Sequence, residues 1–375
     1  MREVSNDEQE RKRREIIMAG NSGELKQLLA STCEWLKGSG PESDVVISSR
    51  IRLARNLSGF MFLEKLKAED ESVVIGEVQK AVKTSKNLKD ALFIQYKDLK
   101  DVDKQFLVER HLASREHAGG QGKKALVVSK NEVISIMVLE EDHLRMQVLQ
   151  SGLNLTEAWR VIDQIDTELE GGLSYSFDSE LGYLTACPTN VGTGLRASCM
   201  LHLPCLVMTK QINKVLQAVA KLSLAVRGLY GEGTQAIGNF FQFSNQVTLG
   251  QNEEDIIDNL DRVIRQIIEH EKEARRYLME KKQSKTEDQI WRALGTLKSA
   301  RLVSSNETII HLSLVRLGVD LGLIQDLSRV NLNALFLYTQ PAHLQKLFGN
   351  DLGSSERDGK RAELIRERLK DVKLV

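Results

Sequence analysis

The chain has 375 residues, 41% of them hydrophobic, and 52 basic and 52 acidic side chains that cancel to a formal net charge of zero. That length holds two domains with ordinary cores. The lack of a basic excess argues against a nucleic-acid partner, and no apolar run approaches the ~20 residues of a membrane helix.

Residues 8–15 are almost all charged, and Leu25, Leu28 and Leu29 follow at helical spacing. They predict an exposed helix or frayed extension over residues 1–40. A charged rather than apolar start predicts no signal peptide. Gly38-Ser39-Gly40-Pro41 breaks the helix, and strand-like Val45-Val46-Ile47-Ser48 follows. Residues 70–112 read as two helical pieces parted at Asn87. Residues 125–139 read as a hairpin about Lys130-Asn131, its second arm rich in β-branched residues. Residues 154–170 predict an amphipathic helix with Leu155, Trp159, Ile162 and Ile165 on one face. Residues 171–194 read as strand and loop, 211–226 as helix, and 228–250 as glycine, phenylalanine and β-branched residues without helical spacing. From residue 253 to 285, Ile256, Ile257, Leu260, Val263, Ile264, Ile267 and Ile268 mark a long helix. The pattern beyond stays helical. The predicted division is an extension (1–40), a mixed α+β domain (41–255) and a helical domain (256–375).

Glu140-Glu141-Asp142-His143-Leu144-Arg145 closes the apolar run 133–139. Three adjacent acids repel one another, which makes sense where something cationic docks; the alternative is a solvated turn. Ser48-Ser49-Arg50-Ile51-Arg52 sets two guanidinium groups at alternate strand positions, hence on one face. Arg196 follows the glycine-rich 187–194 segment, and Arg227 precedes Gly228-Leu229-Tyr230-Gly231-Glu232-Gly233. Singly, each arginine reads as a surface ion pair. Together, beside glycine-rich turns and strand ends where backbone approaches closely, they suit phosphate. There is no G-x-x-x-x-G-K-[ST] loop and no H-R-D or D-F-G segment. Gly192-Thr193-Gly194-Leu195-Arg196-Ala197 fits G-x-G-x-x-A but lacks a βαβ setting, which sets a dinucleotide-binding fold aside. Cys33, Cys187, Cys199 and Cys205 have neither disulfide-framework nor zinc spacing, and a reducing cytoplasm is expected.

In chain order, the S-S-R-I-R, E-E-D-H-L-R, C-P-T-N-x-G-T and R-G-x-x-G-E segments resemble the catalytic domain of the phosphagen (guanidino) kinases over residues 41–250. The resemblance implies an α+β fold: an antiparallel sheet flanked by helices, of the phosphagen-kinase and glutamine-synthetase-like kind, followed here by a mainly helical C-terminal domain. It implies ATP and Mg²⁺ as cofactors and a guanidinium nitrogen as phosphoryl acceptor. Arg50, Arg52, Arg145, Arg196 and Arg227, with Ser49, match the nucleotide-binding positions. Glu141 and Glu232 match the carboxylates that grip the guanidinium, and Cys187 the reactive cysteine. His111 matches a histidine near the adenine, against the alternative of a surface helix histidine. No protein cage for Mg²⁺ is expected; phosphate and water hold it, with Glu140 as a more distant partner. Cys33, Cys199 and Cys205 are assigned to packing.

Small-molecule phosphagen kinases carry about one hundred helical residues before S-S-R-I-R, more than the 47 here. The added helical domain instead follows the catalytic one, a layout that resembles the bacterial protein arginine kinases of the McsB type. That resemblance implies an ATP-dependent kinase of arginine side chains in proteins, marking them for regulation or degradation. The implied partners are protein substrates with exposed arginines, an activator protein, a Clp-type protease system and a second copy in a homodimer, with no nucleic acid or membrane. Arg357-Asp358-Gly359-Lys360-Arg361-Ala362 resembles the R-D-x-x-R-A segment with which that family binds phosphoarginine, which makes Arg357, Asp358 and Arg361 a second expected site; the alternative is a charged helix start. Two other functions stand beside this one. A kinase for free arginine or another small guanidine is disfavoured by the missing N-terminal domain. A non-catalytic phosphoarginine-binding scaffold is disfavoured by intact catalytic positions.

Overall fold

The structure, a computed structural model, describes residues 33–228, 236–349 and 351–373, together with Leu25, Leu28 and Leu29. The rest of the expected N-terminal extension before Cys33, and Glu232, lie outside the described residues.

Eight strands make one sheet: β1 (Val46–Arg55), β2 (Leu92–Gln95), β3 (Ala125–Val128), β4 (Ile134–Val138), β5 (Leu144–Ser151), β6 (Leu195–His202), β7 (Leu224–Gly228) and β8 (Phe240–Asn245). Their spatial order is β2-β3-β4-β5-β1-β6-β8-β7, and every neighbouring pair is antiparallel. The helices named below are α1 (Ala68–Thr84), α2 (Asp101–Glu109), α3 (Leu155–Glu170), α4 (Glu253–Lys281), α5 (Gln283–Ser299), α6 (Ser305–Asp320), α7 (Arg329–Tyr338), α8 (Pro341–Phe348) and α9 (Ser354–Arg368).

β1 alternates, so Ile51, Leu53 and Arg55 share one face and Arg50 and Arg52 the other. The Ile51 face is the buried one. α3 lies on it, burying Leu155, Ala158, Ile162, Ile165 and Leu169 at helical spacing. Arg55 fixes that contact, donating from Nε and Nη2 to Asp166 Oδ2 at 3.1 and 2.6 Å. α4 covers β6 and β8 with the predicted isoleucine stripe. Its start is set by Asn252, whose side chain accepts the Asp255 N–H, and by three acids in the first turn. α4 packs on the sheet, and the helix breaks at Lys282 before α5 begins.

Two predicted helical stretches end in edge strands instead. Ala91-Leu92-Phe93-Ile94 is a short apolar run that pairs with β3, and α2 begins only at Asp101. The helix within 211–226 stops at Ala220; Ser223 turns the chain at φ 56°, and β7 pairs with β8. Pairing with a neighbour overrides weak local helical spacing in both.

The helical domain folds back on the sheet. Asn333 Nδ2 donates to the Leu36 carbonyl at 3.1 Å, and Arg316 Nη2 to the Ser43 carbonyl at 2.6 Å. Glu109, at the end of α2, accepts the Ala342 and His343 N–H groups at 2.8 and 3.0 Å and so caps α8.

His117, His143, His202 and His343 are fully buried, and burial pushes each below the ordinary histidine range, His117 to about 4. An unfolded chain therefore takes up these protons first. Stability is fully present above about pH 6.5 and drains as pH falls toward 4. Carboxyls that desolvation raises act in the opposite sense and offset part of this loss: Glu109, to about 7, and with it Glu141, Asp142, Asp163 and Glu271. Thermal unfolding at pH 7.5 and pH 5 should show a midpoint lower by about 5 °C or more at the acid end; an unchanged midpoint would mean the rings are hydrated.

Candidate active site

Strand register assembles the site. Arg52 stands opposite Arg196 of β6, and Arg50 opposite Ser198. Ala54 stands opposite Arg145 of β5. Gln242 of β8 stands opposite Met200 on one side and Arg227 of β7 on the other. Alternation then puts Arg50, Arg52, Arg145, Arg196 and Arg227 on one face of the sheet. Ser49 is not with them. It points to the opposite face, fully buried, donating to the Gly152 carbonyl at 2.8 Å and accepting the Asn154 N–H at 2.9 Å. The same alternation gives Ser48 to the arginine face.

The charges there are unbalanced. Arg145 has a partner: its Nη1 lies 2.7 and 2.9 Å from the two oxygens of Glu140. Glu140 also accepts Ser114 Oγ–H at 2.6 Å and the Glu141 N–H at 3.0 Å. Burial works to raise its carboxyl, but Arg145 and these bonds hold it below the usual range. Both oxygens are occupied, which leaves Glu140 no free lone pair for the distant Mg²⁺ role. Among the described residues, Arg50, Arg52 and Arg196 have no carboxylate partner. Arg50 Nη2 donates to Gln242 Oε1 at 3.0 Å, Arg196 Nη2 to Ser244 Oγ at 3.2 Å, and Arg52 Nε is buried without one. Burial, then the neighbouring Arg145 and Arg196, pushes Arg50 down to about 10. Arg52 is lowered further by burial and the other arginines, and Arg196 by burial, Arg227 and Arg145. Three half-buried guanidinium groups without a carboxylate partner among the described residues are unfavourable side by side and complementary to a polyanion.

The acidic turn between β4 and β5 gives each acid its own task. Glu140 holds Arg145. Glu141 stays exposed, 3.9 Å from Arg145, and desolvation, then Asp142 and Glu140, raises its carboxyl against the pull of Arg145. Asp142 Oδ1 accepts Asn56 Nδ2–H at 2.6 Å and the Ala186 N–H at 2.7 Å, which pins the residue before Cys187. His143 accepts the Leu57 N–H on Nδ1 and donates from Nε2 to the Met61 carbonyl, both at 3.0 Å. Asp142 and His143 are positioning residues that motif reading passed over; the only sequence signal for them was the redundancy of acids in the run.

Cys187 is half-buried with Sγ 3.0 Å from Thr189 Oγ1. Thr248 Oγ1 ties down its loop, donating to the Thr189 and Val191 carbonyls at 3.0 and 2.7 Å. Gly192 allows this at φ 110°, where a Cβ would come within 2.5 Å of the Thr248 carbonyl oxygen. Cys33 and Cys199 are fully buried, and burial pushes each thiol up to about 12. Limited alkylation by iodoacetamide at pH 8 should therefore label Cys187 before any other cysteine by at least about tenfold. Peptide mapping checks this, and equal labelling of Cys33 would contradict the packing.

His111 follows α2 at φ 61°, its ring edge-on to Trp35 at 4.8 Å. It is not a surface helix histidine. With Trp35, Met200, Phe240, Phe336 and Arg50 it lines a largely apolar cavity at the Ser48 end of the arginine row. Burial and then Arg50 push it down to about 4, so the ring is neutral.

The tail motif sits on α9. Arg361 turns inward: Nε donates to the Thr339 carbonyl at 2.8 Å, Nη1 to the Val303 carbonyl at 2.9 Å, and Nη1 pairs with Asp358. Arg357 Nη1 donates to the Leu352 carbonyl at 2.7 Å. Arg361 is thus a buried tie between α9 and its neighbours, with Arg357 one turn before it on the same helix. Arg361→Ala should lower unfolding stability by about 3 kcal/mol or more, leaving two carbonyls and Asp358 without their donor. A urea midpoint unchanged from wild type would return Arg361 to a surface role.

The chain's likenesses agree with this geometry. Residues 73–274 match the ATP:guanido phosphotransferase C-terminal catalytic domain, and residues 283–374 match the protein-arginine kinase McsB C-terminal domain. The protein-arginine kinase of Desulforamulus reducens is 51% identical over 343 residues, 90% of this chain and 96% of that one. That of Moorella thermoacetica is 48% identical over 344 residues, 91% and 98% of the two chains. Among solved structures, a lombricine kinase matches with TM-score 0.55 at 24% identity, covering 63% of this chain and 68% of that one. The substrate-free duplicated taurocyamine kinase of Schistosoma mansoni also matches at TM-score 0.55 and 24% identity, over 70% of this chain but only 36% of its own length. At such identity these two structures speak for the fold.

Proposed function

The chain belongs to the protein-arginine kinase family, and from that premise we infer that it transfers the γ-phosphoryl group of ATP to a guanidinium nitrogen of arginine side chains in proteins. The observation that carries this reading is the row of Arg50, Arg52 and Arg196, without counter-charge among the described residues, ending at Glu141 and Cys187. The row suits a triphosphate, and the cavity of Trp35, His111, Met200 and Phe240 at its far end suits a flat base.

A guanidinium is a delocalised cation with a pKa above about 12 and a poor nucleophile. Glu141, exposed beside Arg145, is assigned to hold its N–H groups, align one nitrogen with the γ-phosphorus and take the proton as the P–N bond forms and ADP leaves. Glu232 is assigned the second carboxylate on the family motif. Arginines fixed by the sheet meet the charge on the transferring group without reorganising. Among the described residues no cluster of His, Cys, Asp or Glu could hold a metal ion. Mg²⁺ would arrive with the nucleotide rather than in a protein cage and would supply positive charge against its phosphates.

Acceptors on polypeptides are favoured because the Glu141 end is open: Glu141 is exposed and Cys187 half-buried. The reading takes in an activator protein, a Clp-type protease system and a homodimer on family likeness, in a cytoplasmic setting that suits four free cysteines. Among the described residues no helix is long and apolar enough to cross a membrane.

A test uses ATP labelled at the γ-phosphate, Mg²⁺ and two peptides that differ only in one arginine or lysine. Label should move to the arginine peptide alone and be released by acid. Label on the lysine peptide, or on neither, would overturn the reading.

A further inference from the structure

The cavity beside His111 has walls from both domains. The sheet domain gives Trp35, His111, Met200 and Phe240, and Arg50, bonded to Gln242, lies where the cavity meets the arginine row. α7 of the helical domain gives Asn333, Phe336 and Leu337. Phe336 stands edge-on to Phe240 with ring centroids 5.1 Å apart, and Phe240 in turn stacks on His202 at 4.8 Å.

Polar bonds fasten α7 in this place. Asn333 Nδ2 donates to the Leu36 carbonyl, next to Trp35, and Asn333 Oδ1 accepts from the buried Arg316. Arg329 Nη1 donates to Ser43 Oγ at 3.1 Å, and Gln340 Nε2 to the Phe336 carbonyl at 2.9 Å. The Phe336 ring is therefore held at the cavity by its own helix, with no ligand needed to order it.

Two features point to a ligand of one kind. An unfilled apolar space deprives its lining of contacts that a packed interior makes. Trp35 is 8% exposed, and its Nε1 has no partner among the described residues, an unfavourable state for a buried donor. A flat heteroaromatic ring answers both, since its faces pack on aromatic side chains and its ring nitrogens accept hydrogen bonds. The adjoining Arg50 joins this space to the row that suits a triphosphate. Small-molecule sites also form preferentially where two domains meet.

Resting on the kinase reading above, we propose that α7 supplies one wall of the nucleotide-base site, with Phe336 as the ring on which the base packs. The ATP site is then built from both domains: the sheet holds the phosphates and the helical domain holds the base. A bound nucleotide bridges the two and strengthens their contact, whereas a triphosphate alone engages only the sheet.

Calorimetry on the full chain tests this with two probes, MgATP and magnesium tripolyphosphate, which lacks the base. Phe336→Ala should weaken MgATP binding by about tenfold or more and leave tripolyphosphate binding within about twofold. An unchanged MgATP affinity overturns the proposal. So does an equal fall for both probes, which is what a merely structural role of Phe336 in docking the domains would give. Should Phe336→Ala fail to fold, Phe336→Leu, which keeps most of the volume but not the ring, decides by the same pair: a loss of about threefold or more for MgATP alone supports the base site, and any other result overturns it. Wild type that binds tripolyphosphate as tightly as ATP has no base site here. Wild type that binds neither overturns the kinase reading as well, a result distinct from the others.

Discussion

Glu141→Gln lowers kcat for phosphoryl transfer by about 10²- to 10⁴-fold and leaves ATP affinity within about twofold. The substitution keeps size and shape and removes the charge that we propose aligns a guanidinium and accepts its proton. Glu141 is exposed and at 3.9 Å only grazes Arg145, which Glu140 holds independently at 2.7 Å. The arginine row should stay intact, so the loss belongs to the chemical step. Steady-state turnover with saturating acceptor, paired with calorimetry of ATP binding, separates the two effects. Near wild-type turnover would remove Glu141 from the chemistry.

Arg52→Met has two effects of opposite sign. Arg52 faces Arg196 directly across the strands, its Nε is buried without a partner, and burial and the other arginines lower its pKa well below the usual value. Replacing a half-buried charge that lacks a carboxylate partner among the described residues by an apolar side chain of similar volume should stabilise the nucleotide-free protein by about 1 kcal/mol. The same change should cut turnover by about 10³-fold or more, since the transferring phosphoryl loses a fixed positive charge. A structural arginine would lose stability and activity together. Urea unfolding beside turnover on one preparation decides between them, and a variant less stable than wild type would contradict the clamp.

Much of the site was legible because strand alternation is a local rule. Arg50 and Arg52 had to share a face wherever β1 lay. The apolar stripe of α4 was equally plain, but its burial partner was not, and that partner is the sheet. Ser49 was drawn in by its neighbours in the motif, although parity alone assigns the arginine face to Ser48. β2 and β7 were hidden because short edge strands owe their form to a partner far along the chain. The same holds for Asp142, His143 and Arg361. Their roles depend on Ala186, Met61 and the Thr339 carbonyl, and no spacing in the sequence announces those contacts.

The central claim is that this sheet face puts phosphate on the nitrogen of an arginine within a protein. Mass spectrometry of an unfolded protein acceptor after incubation with MgATP tests it most directly. The account predicts phosphate localised to arginine, stable at neutral pH, lost in acid, and absent when Glu141→Gln replaces the wild type. Phosphate confined to serine, threonine or tyrosine, or to free arginine while the protein stays unmodified, would contradict it.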